Sequence, residues 1–203
     1  MKEHPILFNS AMVRAVLDGR KTQTRRVIKP QADHRGYRWV AGRLENWHGR
    51  RVHGPIYEVG DRLWVRESMR WNAESVNYYY TADSMGVGNA IFDRLATLQT
   101  SRPTGLKSVP SIHMPRWASR ILLEITDVRR QMVQEISEED AIAEGIDGEG
   151  SQWATHCEDD AAYKSTPRKA FMYLWDSING KKPGLSWVYN PWVQSVSFRR
   201  ITP

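Results

Sequence analysis

Gly19 stands between two segments of opposite character, and that junction constrains the chain more than any other single feature. Before it, Ala11, Met12, Ala15 and Val16 recur at helical spacing behind Asn9 and Ser10, whose side chains suit a helix cap. After it, Thr22 to Ile28 tolerates extended backbone and stops before Pro30, which cannot continue a ladder. A glycine that ends a helix can take a positive φ, so the next side chains leave at an abrupt angle. Lys21, Thr24, Arg25 and Arg26 are delivered in this way to the start of a strand. Two readings stay open: a basic turn entering a solvated edge strand, or one wall of a site.

Further along, aromatic and basic residues interleave from 31 to 58. Tyr37 to Val40 and Arg43 to Trp47 read as the arms of a hairpin turning at Ala41-Gly42. Such a ribbon suits base stacking, and it equally suits cross-strand aromatic pairs with solvated charges opposite. Leu63 and Val65 alternate with Trp64 and Arg66 on a strand that has one core face, and Tyr78 to Tyr80 reads as another strand. The stretch from Ser84 to Ser111 is rich in Gly, Ser, Thr and Pro around a short helical segment at Ala90 to Leu98. Ile121, Leu123, Ile125 and Val128 predict a long, buried, central strand within Ser119 to Val133. Ser137 caps a short helix ended by Gly145, which puts Glu144 in the last turn, where a carboxylate opposes the helix dipole. Thr166-Pro167 opens a further helix whose apolar positions are Phe171, Leu174, Trp175 and Ile178, and Trp192, Val196 and Phe198 alternate on a final strand.

A chain of 203 residues suits one core with insertions. Lys+Arg outnumber Asp+Glu by 29 to 23, with a pI of about 9.5, which favours a polyanionic or nucleotide-like partner over a cationic one. The single cysteine, Cys157, rules out an intramolecular disulfide. The apolar run at the start is too short for a secretory signal and no stretch is long enough for a membrane span, so a cytoplasmic protein is expected.

Several chemistries are excluded. The sequence has no Gly-rich phosphate loop followed by Lys-Ser or Lys-Thr and no Gly-x-Ser-x-Gly elbow. The six histidines are scattered without metal-ligand spacing, and His156-Cys157 lacks partners, so neither a metal nor a cofactor is expected. What remains is a lysine, a threonine and a glutamate. Threonine becomes nucleophilic once a base removes its proton, and lysine is such a base when burial or neighbouring positive charge lowers its pKa. In a regular strand Lys21 and Thr24 point to opposite faces, so the proposal requires the strand to begin after Lys21.

The run Gly19-Arg20-Lys21-Thr22-Gln23-Thr24-Arg25-Arg26 resembles the signature of the ASCH domains, a PUA-like superfamily of small β-barrels associated with RNA. Gly60-Asp61-Arg62-Leu63-Trp64-Val65 is similar to that family's Gly-Asp strand, and Ile121 to Gly145 and Trp192 to Ile201 resemble its later elements. The resemblance implies an α+β fold, a PUA-like mixed β-barrel with flanking short helices, in a single domain over 1–203 with insertions at about 31–58 and 70–111. His113 to Arg120 and Leu174 to Asn179 look like a longer bacteriophage or prophage branch.

By resemblance to the small ASCH amidohydrolases that deacetylate acetylated cytidine, Lys21, Thr24 and Glu144 would be catalytic. Gly19, Arg25, Arg26, Arg116 and Trp117 would line the ligand. The expected ligand is a nucleoside or RNA. Alternatives are a non-catalytic RNA or modified-base binding module, and a phage accessory domain that meets a protein partner through its insertions.

Overall fold

In the computed structural model the described residues are 1–32, 36–40, 43–52, 57–72, 77–83, 108–154 and 163–201. The chain forms two compact units, the first from 1–18, 62–123 and 200–203, the second from 19–61 and 124–199.

In the first unit, strand β1 (Glu3–Leu7) is followed by helix α1 (Ser10–Leu17). The Asn9 side chain accepts from the Met12 amide at 2.8 Å, as the cap reading expects, and Val13, Ala15 and Val16 turn inward. β1 runs parallel to β5 (Arg62–Arg66), with Ile6 opposite Val65. Along β5, Leu63 and Val65 are buried while Trp64 and Arg66 keep partial exposure, which is the alternation read from the sequence. Strand β6 (Met69–Asn72) pairs antiparallel with β7 (Asn77–Tyr80) and with β8 (Ser108–Val109). Met69 and Tyr80 pack there with Met114 and Ala118. The helical segment expected at 90–98 lies outside the described residues.

In the second unit, β2 (Gln23–Val27) pairs antiparallel with β12 (Trp192–Ile201), which in turn neighbours β9 (Leu122–Met132). β9 enters from the first unit, where Val65 donates to the Ile121 carbonyl beside its start at 3.0 Å. Its burial fades after Ile125, so the strand is long and central but solvated in its second half. The hairpin β3 (Tyr37–Val40) and β4 (Arg43–Asn46) forms with the arms expected, while its turn at 41–42 lies outside the described residues. Tyr37 meets Trp192 edge-on at 5.7 Å, and a Cβ on Gly36 would come within 3.0 Å of that indole.

Helix α2 (Glu138–Ala143) starts where Ser137 accepts from the Asp140 amide at 3.1 Å. A small ribbon, β10 (Gly148–Glu149) with β11 (Gln152–Trp153), follows it. Helix α3 (Pro167–Asn179) is capped by Thr166 and buries Phe171, Leu174 and Trp175. Parallel and antiparallel pairs with short helices make the molecule α+β, the class expected. No helix is long and apolar enough to cross a membrane.

Candidate functional site

Gly19 has φ +76°, with open space where a Cβ would stand, and β2 begins only at Gln23. Lys21 therefore belongs to the turn, ahead of the strand. Its side chain ends enclosed, the residue being 2% exposed. Lys21 Nζ donates to the Gln23 carbonyl at 2.9 Å, the Glu144 carbonyl at 2.6 Å and Glu144 Oε2 at 2.9 Å. Those bonds use every proton of an ammonium.

Glu144 is the residue after α2, and its carbonyl is one of the groups a helix end leaves unpaired. The Lys21 ammonium satisfies that carbonyl, and the Thr22 amide satisfies the Ala143 carbonyl at 2.9 Å. A cation at a helix C-terminus is electrostatically favourable, so Lys21 offsets the misplacement of the Glu144 carboxylate. Burial nonetheless pulls the Lys21 pKa below the ordinary lysine range; Glu144 opposes that shift, and Arg26 and Arg25 add to it.

Arg25, expected at the ligand, is enclosed instead, with a side-chain exposure of 0%. One of its amino groups donates to Gln23 Oε1 at 2.6 Å and Glu144 Oε1 at 3.1 Å; the other donates to Asp140 Oδ2 at 2.6 Å. Arg129 reaches the same Asp140 at 3.0 Å. Burial alone would raise the Asp140 pKa, but the Arg129 hydrogen bond and the Arg25 charge bring it below its ordinary value. The sequence reading gave Gln23, Asp140 and Arg129 no part in the site, Asp140 being read only as the capping partner of Ser137. Alternation along β2 would have put Gln23 beside Arg25, whereas Asp140 and Arg129 are joined only by the fold.

Gln23 and Ser197 are opposite each other across β2 and β12, and their side chains bond at 3.2 Å, so Gln23 and Arg25 share the face turned to α2. The pleat sends Thr24 and Arg26 to the other face. Thr24 is 2% exposed and lies opposite Val196. Among the described residues no hydrogen bond joins its hydroxyl to Lys21 or Glu144. Arg26 keeps part of its surface accessible, yet burial lowers its pKa, with Tyr57 and Glu144 acting in opposition. Burial raises the Tyr57 pKa and Arg26 works against the rise. The Tyr57 amide donates to Gln194 Oε1 at 3.3 Å, which closes this side of β2 with polar groups.

Arg116 and Trp117 belong to the first unit. Arg116 pairs with Glu3 at 2.8 Å and lies 5.9 Å from the Trp64 ring centre. Trp117, 39% exposed, is not a core residue. Among the described residues no group of three or more His, Cys, Asp or Glu side chains is gathered as a metal site; His156 and Cys157 lie outside them.

No family model and no curated protein matches this chain significantly. Among solved structures it is similar to an ASCH domain from Lactobacillus crispatus JV V101, at 11% identity and a TM-score of 0.44, covering 100% of this chain and 81% of that one.

Proposed function

We propose that the protein is an ASCH-type, nucleoside-directed amidohydrolase that removes an acyl group from N-acylated cytidine or a related nucleoside. The observation that carries this reading is the enclosed Lys21, held 2.9 Å from Glu144 with its pKa lowered, at the position where the sequence resembles the family's catalytic lysine. Thr24 Oγ1 attacks the acyl carbon as neutral Lys21 takes the hydroxyl proton. The carbon–nitrogen bond then breaks, and the cytosine amine leaves with the proton that Lys21 or Glu144 returns. Water hydrolyses the threonine ester to release the carboxylic acid. The step requires Lys21 to give up one of its present bonds when the substrate enters.

The second reading is a module that binds RNA or a modified base without chemistry. Two observations favour it: the oxygens around Lys21 already occupy its protons, and among the described residues no hydrogen bond joins the Thr24 hydroxyl to Lys21 or Glu144. Incubation of the purified protein with acetylcytidine separates the two. Release of acetate that disappears in Lys21→Ala, Thr24→Ala and Glu144→Ala supports the hydrolase. Turnover equal to wild type in these variants removes the residues from the mechanism, and binding without turnover leaves the module.

A further inference from the structure

We propose that Arg25 is a positioning residue: its guanidinium forks between Glu144 and Asp140, fixing the Glu144 carboxylate so that it orients Lys21 without being given over to it. The inference rests on the hydrolase reading for its catalytic consequence and on geometry for its substance.

Each oxygen of Glu144 has its own cation, Oε2 with Lys21 at 2.9 Å and Oε1 with Arg25 at 3.1 Å. A carboxylate held at both oxygens cannot rotate, and its charge is shared between two partners. The far side of Arg25 is held as firmly by Asp140 at 2.6 Å, and Arg129 holds Asp140 in turn. The Arg25 guanidinium also lies 5.8 Å from the Phe171 ring centre, so α3 closes over it. Lysine cannot do this work, because a single ammonium does not span two carboxylates in a planar fork. An arginine with no accessible surface and with both amino groups committed is poorly placed to grip a ligand and well placed to set the geometry of one that does.

The charged groups around Lys21 are Glu144 at the end of α2 and Arg25 and Arg26 on β2, with Tyr57 near Arg26. Beyond Glu144, Asp140 on α2 and Arg129 on β9 complete the chain, and Arg20 pairs with Asp147 at 3.4 Å beside it. Arg25 lowers the Lys21 pKa directly, and it also occupies the Glu144 oxygen that would otherwise serve Lys21 alone.

The test is the titration of the Lys21 ammonium, followed by NMR in protein labelled at the lysine side chains and assigned against Lys21→Arg. Arg25→Gln removes a neighbouring positive charge and frees Glu144 Oε1, so the Lys21 midpoint should rise by about one pH unit. Asp140→Asn leaves Arg25 less neutralised and should move the midpoint down. Arg25→Lys should restore only part of the wild-type value. Where acetylcytidine is turned over, the acid limb of kcat/KM should follow the same midpoints. Unchanged midpoints, or shifts of one sign in Arg25→Gln and Asp140→Asn, would overturn the inference. Should Arg25→Gln fail to fold, Arg25→Lys and Asp140→Asn decide the matter. Absence of turnover in every protein, wild type included, sinks the hydrolase reading alone, since the lysine titration is read without substrate.

Discussion

At the scale of the residue, the ion pair between Lys21 and Glu144 is costly to break and modest to own. Two charges brought out of water lose hydration that their attraction only partly restores, but one left without the other has no compensation at all. Lys21→Met leaves Glu144 Oε2 and the carbonyl at the end of α2 without their buried donor while Arg25 keeps Oε1, and we expect a loss of about 1–3 kcal/mol in urea unfolding. The double variant with Glu144→Gln should lose much less than the sum of the single changes. The pH dependence follows from the lowered Lys21 pKa. Between that folded value and the unfolded one the unfolded chain holds the extra proton, so stability from this group rises with pH there and is lost as pH falls through the folded pKa. Unfolding curves measured upward from neutral pH should show this rise in wild type and a weaker one in Lys21→Met. In the first unit Tyr80 donates to the Ala118 carbonyl at 2.7 Å, and burial pushes its pKa up to about 12. Tyr80→Phe leaves that carbonyl unmet and should cost about 1–3 kcal/mol in the same assay.

At the scale of the element, the helix starts are written in the sequence. Asn9, Ser137 and Thr166 each accept from the amide three residues on, at 2.8, 3.1 and 3.2 Å. These are local interactions that need only the right residue at the right offset. Thr166→Ala should lower stability by about 1 kcal/mol, measured by thermal or urea unfolding, without altering the Lys21 titration. Gly19→Ala is a different case. No atom lies within 4 Å of the added Cβ, so its cost is backbone strain at φ +76°, on the order of 1–2 kcal/mol. Because that turn delivers Lys21, the same variant should also perturb the Lys21 titration. An unchanged titration would show that Glu144 and the Gln23 carbonyl hold the lysine unaided.

At the scale of the whole molecule, a net charge of +6 suits either RNA or a nucleotide-like ligand, and salt dependence is what separates them. A polyanion bound through phosphates releases counterions, and its affinity falls by a power of the salt concentration. If RNA is the ligand, binding of a labelled single strand should weaken steeply from low to physiological salt. If the ligand is a neutral nucleoside, its KM should hardly move over that range.

Much of the α+β framework was legible in advance because it rests on periodicity and punctuation. The alternation of Leu63 and Val65, the stripe of Phe171, Leu174 and Trp175, the caps and the break at Gly19 depend on near neighbours alone, whereas Ile178, read as the end of that stripe, is exposed. The sequence also marked Lys21 and Glu144, since a lysine past a helix-ending glycine and a glutamate at a helix end are unusual placements. Only the tertiary structure joined them, 123 residues apart, and only it enclosed Arg25 between Glu144 and Asp140. The reason is physical: a side chain's direction is set by its own strand or turn, but its partner, its burial and hence its pKa are set by whatever the fold packs against it.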